Sequence, residues 1–221
     1  MKKIFASLAA VVCISSTAQA QVLNFDGIHS GIGSSLIGNY YNGGAGTDHG
    51  IEFFGNARAT NSSVGGCGGS SNFALQPSGC GALFFLTGGS TGMNRAAGFT
   101  SGFSLFYSAA FNAGSLFVWS GLNGTGNLLA SLALPITGSG SNNNACLEQA
   151  YCPWKPVGVG FAGTAQSIVF AGVENGIAFD DVTFGSVTPG TVVPEPSTYA
   201  LMAAGLAALG FVSRRRRATQ V

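Results

Sequence analysis

Charge is scarce in this chain. Asp, Glu, Lys and Arg make up only 8% of it, against about a quarter in ordinary soluble domains. Six of the nine basic residues sit at the ends, as Lys2, Lys3 and Arg214 to Arg217. Between them stand only Arg58, Arg95 and Lys155, against Asp26, Asp48, Glu52, Glu148, Glu174, Asp180 and Asp181, so the middle is mildly acidic. A groove that neutralises phosphates needs clustered Lys and Arg, and the lack of one excludes nucleic acid as a partner. Histidine is nearly missing, with His29 and His49 alone. There is no H-E-x-x-H and no Walker loop, and "GGCGG" at 65–69 lacks the Lys that a phosphate loop requires. A secreted hydrolase is therefore the weakest of the functional readings. Helical periodicity is also absent from the middle of the chain.

What is present is segregated. Residues 1–20, "MKKIFASLAAVVCISSTAQA", combine a basic start, an apolar run from Ile4 to Ile14 and the small residues Ala18 and Ala20. That is the pattern of a secretory signal peptide, with cleavage expected after Ala20. At the other end, Tyr199 to Val212 is an apolar run of 14 residues. As a helix it would rise roughly 21 Å, short of the ~30 Å hydrocarbon core, so a marginal single transmembrane helix is expected. Arg214, Arg215, Arg216 and Arg217 would hold its end on the cytoplasmic side and place residues 21–193 outside the inner membrane. Pro194 and Pro196 keep the preceding chain extended.

This order of motif, apolar run and basic cluster resembles the PEP-CTERM sorting signal of Gram-negative bacteria. The motif falls on Val193, Pro194, Glu195, Pro196 and Ser197. The resemblance implies recognition by an exosortase, an inner-membrane intermediate, processing near the motif, and delivery to the cell surface or an extracellular, biofilm-type matrix. The stretches "VLNFDGI", "GIEFFGNA" and "VENGIAFDDVTFGS" are also similar to β-sandwich ectodomains that precede such tails.

Short runs of β-branched and aromatic residues, bounded by Gly, Asn and Ser, fill the middle. Strands are expected at 22–25, 51–54, 72–75, 82–86, 99–109, 115–120, 128–134, 157–161, 167–171 and 177–184, with a turn around Asn123-Gly124. About ten short strands imply an all-β fold, a β-sandwich or jelly-roll ectodomain. The organisation expected is a signal peptide at 1–20, the sandwich at 21–187, a linker at 188–193 and a sorting tail at 194–217. Within the tail, the motif is 193–197, the helix 199–212 and the basic cluster 214–217.

Outside the signal, Cys67, Cys80, Cys146 and Cys152 remain, an even number in an oxidising compartment. Proximity in sequence favours Cys67–Cys80 and Cys146–Cys152. Zinc fits poorly, because no C-x-x-C occurs and no His is near. In a jelly roll the first and last strands are commonly neighbours, so Asp26 is expected to approach Asp180 or Asp181. Adjacent strand residues point to opposite faces, so Asp180 and Asp181 can share a site only across a bulge. A structural calcium ion there, with no other cofactor, is one reading; aspartates that cap turns are the other. Trp119, Tyr107, Tyr40, Tyr41, Tyr151 and Trp154 are candidates for stacking on sugars. The lead reading is a non-enzymatic exported surface protein; a carbohydrate-binding module for exopolysaccharide is the alternative.

Overall fold

The computed structural model describes residues 20–190 and 205–206. The rest of the expected signal and tail, including Val193 to Ser197 and Arg214 to Arg217, lies outside the described residues. Gly205 and Leu206, within the apolar run, are helical. Among the described residues no helix is long and apolar enough to cross a membrane.

Ten strands form the body: β1 Gln21–Leu23, β2 Ser34–Leu36, β3 Ile51–Phe54, β4 Ala57–Asn61, β5 Gly81–Phe85, β6 Ser90–Ser108, β7 Gly114–Trp119, β8 Leu128–Leu134, β9 Lys155–Gly172 and β10 Ala178–Phe184. All pairings between them are antiparallel. Two strands are long enough to serve both layers. The first half of β6 pairs β3 and the second half pairs β10, while β9 follows β6 along its length. One layer therefore runs β2-β4-β5-β10-β6-β9, and the other β3-β6-β9-β7-β8. β6 turns the corner through register shifts between Asn94 and Ser101, where Gly98 and Ser101 take positive φ values of 72° and 77°. β9 has Gly163 at φ 88° in the corresponding stretch. These bends are why 99–109 expands to a 19-residue strand and why 157–161 and 167–171 fuse into one.

The inner faces meet in one core. Leu83, Phe103, Phe179 and Phe184 from the first layer pack with Ile51, Met93, Leu116 and Ile168 from the second. Phe170 stacks edge-on to Phe179 at 4.9 Å and to Phe103 at 6.5 Å, which ties layer to layer. Burial of such side chains supplies about 1.5–3 kcal/mol each before entropy is counted. Four expectations are corrected. Residues 72–75 form no strand; Phe73 makes a single bridge to Tyr151. β2 and β4 were not expected, since "SSL" and "ARATN" carry no large apolar side chain at alternate positions. The remaining correction concerns the linker expected from 188. The chain after β10 turns back onto the outer face of the first layer. Ser104 Oγ donates to the Ser186 carbonyl at 2.9 Å, Gly190 donates to Thr183 Oγ1 at 3.1 Å, and Pro189 is buried. Val187 crosses Gly102 and Gly158, positions where a side chain would collide with it, and passes beside Gly160. The chain is thus docked through Gly190.

Candidate functional site

The first and last strands do meet, Leu23 opposite Val182 and Gln21 opposite Phe184. The acidic residues beside them converge on one loop, Gln76–Gly81. Asp26 follows β1, and its Oδ1 accepts the amides of Cys80 and Gly81, both at 2.7 Å. Gly79 passes so close that a Cβ there would strike the Asp26 carboxylate. Asp180, on β10, is fully buried. It accepts the Ser78 amide at 3.0 Å and the Asp181 amide at 2.7 Å, and the Ser78 hydroxyl lies 3.0 Å from both of its oxygens. The bulge needed to bring Asp181 to the same side is present: the register with β6 shifts after Asp180, and Asp181 sits at φ 46°.

Burial pushes the Asp180 carboxyl up to about 8, against the opposing pull of the Ser78 amide, with the Asp181 charge adding to the rise. Asp181 is also raised, first by burial and last by the Asp26 charge. Burial thus favours the protonated form of Asp180, and the Ser78 hydroxyl can donate to the carboxylate or accept from the acid. These carboxylates are spent on the chain's own amides. Among the described residues, no group of three or more His, Cys, Asp and Glu side chains is placed to hold a metal ion. The arrangement fastens a loop between the chain's first and last strands.

That loop is the one closed by a disulfide. Cys67 is bonded to Cys80, and Cys146 to Cys152, each with Cα atoms 5.4 Å apart. Phe73, Ala82 and Ala178 form a second small core beneath them, with Tyr151 and Trp154 against it. Trp154 donates its indole N–H to the Ala74 carbonyl at 2.9 Å, and the Tyr151 hydroxyl donates to the Asn175 carbonyl at 3.1 Å. Those two aromatics are thus structural. Tyr41 and Tyr107 are buried, and Tyr40 lies edge-on against Tyr41 at 4.9 Å.

His29 Nδ1 shares a 2.8 Å hydrogen bond with Ser35 Oγ, and its Nε2 has no hydrogen-bond partner among the described residues. His49 packs on the Tyr41 ring, and burial lowers its affinity for protons. A G-x-S-x-G elbow was not expected, yet Gly88-Gly89-Ser90-Thr91-Gly92 has the spacing of a hydrolase nucleophile elbow. An elbow needs a strand running into a helix. Here Ser90 opens strand β6.

The outer face of the second layer carries half-buried aromatic rings. Its residues fall in cross-strand rows because directly paired residues share a face. One row is Phe54, Gly92, Val169, Phe117 and Ser131; the next is Glu52, Asn94, Ser167, Trp119 and Leu128. Gly92 is required there, since a Cβ would overlap the Phe54 ring. The turn at Leu122–Gly124 folds onto the second row. Asn94 and Asn123 exchange hydrogen bonds of 2.6 and 2.7 Å, and the Gly124 amide donates to Ser167 Oγ at 2.9 Å. Phe54, Phe117 and Trp119 remain half-buried and present ring surface to solvent.

Comparison with known proteins adds the following. The family model of the PEP-CTERM protein-sorting motif matches residues 192–217. No curated protein matches the chain. Among solved structures, a family 6 carbohydrate-binding module is 14% identical, covering 75% of this chain and 92% of its own, with a TM-score of 0.37. A family 6 module from Clostridium stercorarium in complex with cellobiose is 16% identical, covering 73% and 98%, with a TM-score of 0.38. The K3 cleaved adhesin domain of Lys-gingipain from Porphyromonas gingivalis W83 is 12% identical, covering 76% and 100%, with a TM-score of 0.39.

Proposed function

We propose that the chain is a PEP-CTERM protein, its sandwich an exported, non-catalytic surface or matrix domain delivered by an exosortase. The observation that carries this reading is the matched motif at 192–217. The disulfides Cys67–Cys80 and Cys146–Cys152 support it, as such bonds persist in oxidising compartments. In this reading the apolar run and Arg214 to Arg217 hold the precursor in the inner membrane until processing near Pro194-Glu195-Pro196. Mass spectrometry of protein released from the cell surface should give a chain that starts at Gln21 and stops close to Ser197. Glu195→Ala should leave full-length precursor in the inner membrane. Released protein that still carries Arg214 to Arg217 would overturn the proposal.

A second reading concerns what the domain does once outside. The aromatic rows on the second layer, with Asn94 and Asn123 beside Trp119, suit stacking on a sugar face and hydrogen bonding to its hydroxyls. Retention of the processed chain on the cell's own exopolysaccharide, lost in Trp119→Ala and Phe117→Ala, is the expected result. Equal retention of both variants would remove this reading and leave the sorting proposal intact.

A further inference from the structure

A sheet edge presents unpaired backbone groups, and proteins that remain single guard their edges with shortness, Lys, Pro, inward-facing charge or bulges. Among the described residues this sandwich has five edges. β1 and β2 have three residues each, and Arg58 of the neighbouring β4 bonds back across β2 to Ser34 Oγ at 2.7 Å. β3 has four residues, with Glu52 exposed on it. The first half of β9 begins Lys155-Pro156. β8 carries one irregularity, the register shift against β7 next to Leu128, and no guard along Ala130–Leu134. It is seven residues long, "LLASLAL", with no Pro and no charge. It lies within the stretch 96–147, which contains no Asp, Glu, Lys, Arg or His at all.

The core is also unfinished at this edge. On β7 the inward-facing Leu116 and Val118 are 0% and 1% exposed. On β8, Leu129, Ala130 and Leu132 pack against the same core yet stay only half-buried, and Leu128 is 49% exposed. The strand is nearly self-complementary when read in reverse about Ser131. An antiparallel partner of the same sequence would set Ser131 against Ser131 and Ala130 against Leu132.

We propose that β8 is a self-association edge, pairing antiparallel with β8 of a second copy about a two-fold axis at Ser131. The inward side of the new pair would set Ala130 beside Leu132 over the half-open core of both copies. On the outward side the row Phe54, Gly92, Val169, Phe117 and Ser131 would continue into its own mirror sequence, and two short aromatic faces become one long one. Such an isologous contact closes on itself, so it gives dimers and not fibres. The inference stands on the edge and does not depend on what the outer face binds.

The test uses the full chain in detergent micelles. Ser131→Cys should form an intermolecular disulfide on mild oxidation, because Cα atoms facing each other in such a pair lie about 4.5–5.5 Å apart. Ser115→Cys lies one strand inside the edge on the same outward face and should cross-link far more slowly. Ser131→Lys keeps an exposed side chain exposed and sets like charges against each other across the axis. It should weaken the dimer several-fold in analytical ultracentrifugation while the circular dichroism spectrum stays that of the unaltered chain. The proposal is overturned if Ser131→Cys cross-links no faster than Ser115→Cys, or if Ser131→Lys leaves self-association unchanged.

Discussion

At the residue scale, Asp180 is the most consequential side chain in the molecule. It is fully buried, anchors Ser78 through amide and hydroxyl, and is pushed up to about 8. In the unfolded chain an Asp titrates near 4. Between those values the folded state keeps a proton that the unfolded state has lost, so stability falls as pH rises from about 4 to about 8 and levels off beyond. The steepest slope a single group can give is about 1.4 kcal/mol per pH unit. Urea unfolding between pH 5 and 8 should show such a decline. Asp180→Asn keeps one acceptor oxygen and a neutral group, and should flatten it. Stability that is level across this range, or a slope that survives in Asp180→Asn, would show that Ser78 and the Asp181 amide hold the ionised carboxylate comfortably. The same geometry sets the expectation for calcium. Since Asp26 and Asp180 are already occupied by amides, millimolar Ca²⁺ should leave the melting temperature where a chelator leaves it. A rise that Asp26→Ala abolishes would support the calcium reading.

At the scale of elements, what could be read from the sequence depended on side-chain pattern. β3 and β8 were legible to the residue, because apolar runs end there at Gly, Asn or Pro. β2 and β4 were not, since β4 turns Ala57 and Ala59 inward and shows no pattern until its neighbours are known. Gly98 and Ser101 looked like punctuation between strands, and they are bends inside one. The pairing of first and last strands was legible, as was the need for a bulge at Asp181. Ser78, the residue that joins them, was not, because Pro77-Ser78-Gly79 reads as an ordinary turn. The strap Ser186–Gly190 was missed for a similar reason: a Thr-Pro-Gly stretch suggests free linker, and its seat consists of glycines. That seat makes a prediction. In Gly158→Val the new side chain would meet the Val187 carbonyl. The strap should lift, and limited proteolysis should cut within residues 186–193 well before it does in the unaltered chain. The body should lose only about 1–3 kcal/mol, the usual range for overpacking. Unchanged protection of the strap would show that the hydrogen bonds of Ser104 and Thr183 hold it without the groove.

For the whole molecule, the question is how the two disulfides share in stability with the main core. Neither touches that core. Both pin loops around the small cluster of Phe73, Ala82 and Ala178. In the chain-entropy account, a bridge with a sequence separation of 13 contributes about 3 kcal/mol and one with a separation of 6 about 2.3. The sandwich, with its interlayer phenylalanines, should therefore survive loss of either bridge at a lower melting temperature. The two losses should not simply add. Cys67 and Cys80 line a cleft of about 240 Å³ together with Leu147 from the other disulfide loop, and Ser63 donates to Gln149 across it at 3.2 Å. Once one loop is freed, the cleft it shares with the other loosens, and the remaining bridge then constrains less native structure. Neighbouring sites of this kind couple by about 0.5–3 kcal/mol, whereas independent ones add to within about 0.5. A double-mutant cycle of Cys67→Ala/Cys80→Ala against Cys146→Ala/Cys152→Ala, read by urea unfolding at one pH, measures the coupling. The expected result is a combined loss smaller than the sum by more than about 0.5 kcal/mol. Strict additivity would mean that the loops are fastened separately, one through Asp26 and Asp180 and the other through Trp154.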